Sequence, residues 1–106
     1  MSMHDGKRDE VCPIASVAEL LGDECTLLLI RDLLMGTKRF KELEHSLSPI
    51  SSRTISNKLK LLEERGLIAR KEYKEKPPRV EYTLTKDGKK LHKLMTEMRA
   101  FGKKFL

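Results

Sequence analysis

The chain has 106 residues, 39% of them hydrophobic and 36% charged, and a formal net charge of +6. That length suits one domain with a modest core, and its longest apolar run, "CTLLLI", stops at Arg31, too short to cross a bilayer. No apolar stretch follows the charges of "MSMHDGKRDE", so no secretory signal is expected and the cytoplasm is the default address.

In chain order, residues 1–11 read as a flexible tail and residues 12–106 as the folded domain. Pro13 stands where a first helix can start, because its missing N–H is not needed in the first turn. "IASVAELL" carries that helix to Leu21, and Gly22 ends it. Asp23 can cap a second helix over residues 24–35, whose Leu27, Leu28, Ile30, Leu33 and Leu34 predict deep burial before Gly36 closes it. A short third helix runs from about Phe40 to Ser46, with Phe40, Leu43 and Leu47 at helical spacing, and Ser48-Pro49 breaks the chain. Ser51 caps a fourth helix that extends to about Arg65, where Gly66 stops it. "LIARKEY" and "RVEYTL" read as two strands, the second with Val80, Tyr82 and Leu84 in alternation. Thr85 caps a single last helix. The fold class is therefore α+β, mostly α: four helices, a two-stranded ribbon and a long C-terminal helix.

The fourth helix has two unlike faces. At about 100° per residue, Ile55, Leu59 and Leu62 gather on one side, while Arg53, Asn57 and Lys60 centre on the other with Ser56 at the flank. Arg, Asn, Lys and Ser are the side chains that bond base edges and phosphates. The preceding helix ends a short turn earlier, which matches a helix-turn-helix, and such a unit sets the N-terminal residues of its second helix deepest in the major groove. Ser51, Ser52, Arg53, Ser56, Asn57 and Lys60 are the expected duplex contacts, with Glu63 and Glu64 at the far end. An amphipathic surface helix with a solvated outside is the plainer alternative. The ribbon tip "KEKPPR" adds Lys74, Lys76 and Arg79 around Pro77-Pro78, a stiff cationic loop suited to the minor groove or its phosphates.

With these elements assigned, the sequence resembles winged helix-turn-helix regulators of the HxlR type, within the MarR-like group. The stretches that carry the resemblance are "CPIASVAELLGDECTLLLIRDLL", "GTKRFKELEHSLSPISSRTISNKLKLLEERGLI" and "PPRVEYTLTKDGKKL". It implies a winged helix-turn-helix with a two-stranded wing and dimerisation helices at both ends. It also implies a homodimeric transcription factor on an inverted repeat of double-stranded DNA, with repression one mode of action. One departure stands out: members carry Gly-Lys-Trp where this chain has Asp23-Glu24-Cys25.

A wing-type domain of this size has little room to bury the stripe Leu91, Leu94, Met95, Met98, Phe101 and Phe105. A twofold dimer is expected to cover it, with Ile14, Val17 and Leu21 of the first helix joining in. Two recognition helices would then stand about 34 Å apart, one duplex turn. Cys12, beside the N-cap of the first helix, sits where unpaired N–H groups favour negative charge on sulfur, with Lys7 and Arg8 nearby in the chain. The resemblance points the same way, since several relatives sense oxidants or electrophiles with this cysteine. An inert thiol is the alternative, and Cys25 reads as core.

Other functions fare worse. His4, His45 and His92 are dispersed, no nucleophile–base pairing or glycine-rich phosphate loop is visible, and no enzyme is expected. Cys12 and Cys25 give no zinc spacing, so neither metal nor cofactor is expected. The competing reading is a winged-helix module that binds an acidic protein or RNA instead of reading duplex DNA.

Overall fold

Side chains of Asp23, Ser51 and Thr85 cap three of the helices. In the computed structural model, which describes residues 12–106, α1 (Pro13–Leu21) has Cys12 at its N-cap, and the Ser16 N–H donates to the Cys12 carbonyl at 3.0 Å. The expected tail over residues 1–11, with His4, Lys7 and Arg8, lies outside the described residues. α2 (Glu24–Leu33) is capped by Asp23, whose carboxylate accepts from the Thr26 N–H and from the Thr26 hydroxyl, both at 2.9 Å. α2 ends two residues earlier than its apolar pattern predicts. Leu34 stays partly buried against the core while Met35 is exposed, and the Met35 and Gly36 N–H groups bond the Asp32 and Leu33 carbonyls at 3.0 and 3.1 Å. Such tighter bonds close a helix end by satisfying its last carbonyls.

α3 (Phe40–Leu47) and α4 (Ser52–Glu64) follow, separated by the turn through Pro49 and Ile50. Ser51 caps α4 by accepting from the Thr54 N–H at 3.2 Å. Arg65 and Gly66 then end it, Gly66 with φ +75°, a left-handed conformation that suits a residue without Cβ. The core lies where α2, α3 and α4 meet, around Leu29, Ile30, Leu43, Ile55, Leu59 and Leu62. Each of these is almost wholly withdrawn from water, the main favourable term in holding the three helices together.

The sheet is larger than the sequence suggests. β2 (Ile68–Tyr73) and β3 (Arg79–Leu84) form the expected antiparallel ribbon, with Ile68 opposite Leu84 and Tyr73 opposite Arg79. A third strand, β1 (Lys38–Arg39), pairs with the other edge of β3, Lys38 opposite Tyr82, so the order is β1-β3-β2. Two residues are too few for alternation to be seen, which is why the ribbon was expected to be two-stranded.

The single last helix is in fact two. Thr85 caps only α5 (Lys86–Lys89), accepting from the Gly88 N–H at 3.1 Å, and α6 (Leu91–Phe105) begins after Lys90. The break follows from packing. Gly88 lies so close to the Leu67 carbonyl that a Cβ would stand 2.0 Å from its oxygen, and the Thr85 N–H donates to that same carbonyl at 3.0 Å.

Candidate nucleic-acid interface

The two faces of α4 separate as their chemistry requires. Ile55, Leu59 and Leu62 are 0%, 1% and 0% exposed, whereas Arg53, Ser56, Asn57 and Lys60 all face solvent. The side chains able to bond bases are therefore presented by a helix whose other face is fixed in the core. At its N-terminus the expected contacts divide. Ser51 is spent on the cap and also donates its hydroxyl to Thr54 Oγ1 at 3.0 Å, while the Ser52 hydroxyl is hydrogen-bonded to the Glu44 carboxylate of α3. Both remain exposed. Lys58, on the flank, instead reaches Asp23 Oδ2 at 3.4 Å and ties α4 to the cap of α2.

The wing tip divides in the same manner. Lys74 and Lys76 are exposed. Arg79 is held: its guanidinium carbon lies 4.0 Å from the Tyr73 ring centroid, Nη2 is 3.2 Å from Glu75, and Nε is 3.4 Å from Glu81, leaving its side chain 28% exposed. Two cations that the periodicity did not single out, Arg39 and Lys41 at the start of α3, stand beside Ser56 and the wing tip. Only the run "KRFK" hinted at them.

The apolar stripe is also more mixed than expected. Leu21 is 5% exposed and belongs to the core, so it has no surface to offer a partner. Leu91 and Met95 are partly buried against that core. Ile14, Val17, Leu94, Met98, Phe101 and Phe105 are exposed, and α6 has no buried residue. Cys12 is half-buried and its sulfur makes no cap hydrogen bond, while Cys25 is buried in the core and burial pushes its thiol pKa up, the Asp23 charge adding to the effect. Among the described residues no group of three or more His, Cys, Asp or Glu side chains could hold a metal ion, and no helix is long and apolar enough to cross a membrane.

A buried-backed polar helix, the short helix before it and a three-stranded wing make a winged helix-turn-helix, and the sequence profile of the HxlR-like helix-turn-helix family matches residues 20–106. The chain belongs to the HxlR-like family. It is 36% identical over 96 residues to the HTH-type transcriptional regulator sll1512 of Synechocystis, covering 91% of this chain and 71% of that protein. It is likewise 36% identical over 96 residues to the HTH-type transcriptional regulator YodB of Bacillus subtilis, covering 90% and 86%. Among solved structures, a Porphyromonas gingivalis protein assigned to the MarR family of transcriptional regulators superposes with a TM-score of 0.86 at 36% identity, covering 94% of this chain and 98% of that one. The redox regulator HypR in its reduced form superposes with a TM-score of 0.82 at 29% identity, covering 87% and 91%. This HxlR-like chain is thus a transcriptional regulator of the helix-turn-helix type, and its family implies DNA as partner. Cys25, one of the three positions at which the sequence departs from what the resemblance implies, is a buried thiol in the core.

Proposed function

We propose that this HxlR-like regulator reads duplex DNA as a homodimer on an inverted-repeat operator and releases it when Cys12 is modified. The observation that carries the DNA reading is the exposure of Arg53, Ser56, Asn57 and Lys60 on a helix whose opposite face is wholly buried. A backbone anchored in the core fixes where these side chains start from, so the helix itself need not order on meeting base edges. Lys60, Lys74 and Lys76 supply the phosphate contacts. The twofold assembly is supported by the exposed apolar residues Leu94, Met98, Phe101 and Phe105 along α6, with Ile14 and Val17 exposed on α1.

The switch rests on Cys12 standing at the cap of α1, on the same helix as exposed Ile14 and Val17. A group added to its sulfur disturbs that helix end. HypR has been solved in reduced and oxidised forms, and YodB reduced and after diamide treatment, which is compatible with this reading. Repression is the mode that a dimer seated on a promoter exerts by occlusion.

Selection of bound duplexes from a random pool, with and without a mild oxidant or quinone, tests the whole reading. The expected outcome is a palindromic consensus that is lost under oxidant in the native chain and kept in Cys12→Ser. A protein that retains every duplex equally, or none, would sink the DNA reading and favour a protein or RNA partner.

A further inference from the structure

The front of α4 carries a polar pair drawn from two helices. Glu44, half-buried on α3, accepts the hydrogen of the Ser52 hydroxyl, and Ser52 is the exposed first residue of α4. Leu43 and Leu47 bury the other side of α3, so the carboxylate is carried on a helix that is itself anchored. Hydrogen count decides what this pair can meet. A serine hydroxyl has one hydrogen to give and an ionised carboxylate has none. With that hydrogen given to Glu44, the two side chains turn lone pairs alone toward a duplex seated on α4. Phosphate oxygens are acceptors too, and negative, so the pair cannot anchor the backbone as the exposed Arg53 and Lys60 of α4 can. The donors on base edges in the major groove are the exocyclic amines, N4 of cytosine and N6 of adenine. Adenine sets its N7 acceptor beside that amine, and a carboxylate is repelled there; guanine and thymine offer no donor. Cytosine alone shows a donor with no acceptor on the same base.

We propose that Glu44 is a specificity-determining residue: held by Ser52 at the front of the recognition helix, its carboxylate accepts from the N4 amine of one cytosine in each half-site. The assignment rests on the DNA reading above and adds to it a base contact made from α3. A negative charge close to a duplex costs affinity, and the unpaired N–H groups in the first turn of α4 ease that cost. A sequence without the matching amine leaves the carboxylate desolvated and unpaired. The group therefore discriminates by penalising wrong partners as much as by rewarding the right one.

The test selects duplexes from a random pool with the full native chain, Glu44→Gln and Glu44→Ala, then measures affinity by anisotropy on single-pair variants of the native consensus. The native chain is expected to require cytosine at one pair of each half-site, with its replacement costing about tenfold or more. Glu44→Gln keeps an oxygen for the Ser52 hydroxyl and is expected to move the preference at that pair toward adenine, whose N6 and N7 match an amide. Glu44→Ala is expected to erase the preference at that pair and leave the other pairs as they were. Ser52→Ala frees the carboxylate and is expected to blur the same pair; a change at other pairs instead counts against the assignment. Should both Glu44 variants tighten every duplex by one factor, the carboxylate acts as a bare charge and the proposal is overturned. A Glu44→Gln chain with native affinity and native preference makes Glu44 a strut between α3 and α4, and overturns it equally. Helix content by circular dichroism checks folding, and if Glu44→Ala does not fold, the near-isosteric Glu44→Gln decides. A native chain that selects no consensus sinks the DNA reading and this assignment together. A palindromic consensus that Glu44→Gln leaves unaltered sinks the assignment alone.

Discussion

Arg79 sits among the cations of the wing, yet its charge is already answered. Stacked on Tyr73 and paired with Glu75 and Glu81, it organises the hairpin and has little charge left for a phosphate. This separates it from Lys76. Lys76→Ala is expected to weaken all duplexes alike and to reduce the salt slope by about 1. Arg79→Ala is expected to lower affinity through a loosened wing with the slope nearly unchanged; anisotropy titrations across a salt series distinguish the two. Arg53→Ala is expected to cost about 1–3 kcal/mol on the operator and to relax preference at one base pair, read by competition with single-pair variants. The exposure of Arg53 and Asn57 was legible in the sequence because a 3.6-residue period fixes which face is buried. The role of Arg79 was not. It depends on Tyr73 standing opposite Arg79 in the hairpin register, which composition does not reveal.

At the scale of the element, end residues decide more than propensity does. Asp23 holds the first turn of α2 and also receives Lys58 from α4. Partial burial pushes its carboxyl pKa up, but hydrogen bonds from Thr26 and the charge of Lys58 outweigh that and bring it below its ordinary value of 3.8. A depressed folded pKa contributes stability that is complete above the ordinary value and lost as pH falls through the folded one. Asp23→Ala is expected to cost about 1 kcal/mol at neutral pH in urea unfolding, and to lose less than the native chain on acidification. Gly88→Ala is expected to cost about 1–3 kcal/mol, since its Cβ would meet backbone at the Leu67 carbonyl. Caps at Asp23, Ser51 and Thr85 were visible beforehand, because each precedes an apolar period. β1 and the division between α5 and α6 were not: both arise from contacts with chain far away in sequence, β3 in one case and Leu67 in the other.

For the molecule as a whole, α6 is the part whose own domain does least to cover it. Phe101 and Phe105, their ring centroids 4.8 Å apart, are 58% and 63% exposed. Phe101→Asp is expected to shift sedimentation from dimer toward monomer and to weaken operator binding at low protein concentration, with helix content retained. Sequence already showed the stripe, because it repeats at helical spacing. It overstated the stripe's outer part, because Leu21, Leu91 and Met95 find cover within the chain.

Near Thr85 three parts of the chain share one knot. The Thr85 hydroxyl donates to the Gly66 carbonyl at 2.6 Å, its N–H donates to the Leu67 carbonyl, and its side chain accepts from Gly88. The exit of α4, the root of the hairpin and the step toward α6 are thereby fastened within a few ångströms of one another. A twist applied to the C-terminal rod would therefore reach the rear of α4 by way of these three hydrogen bonds.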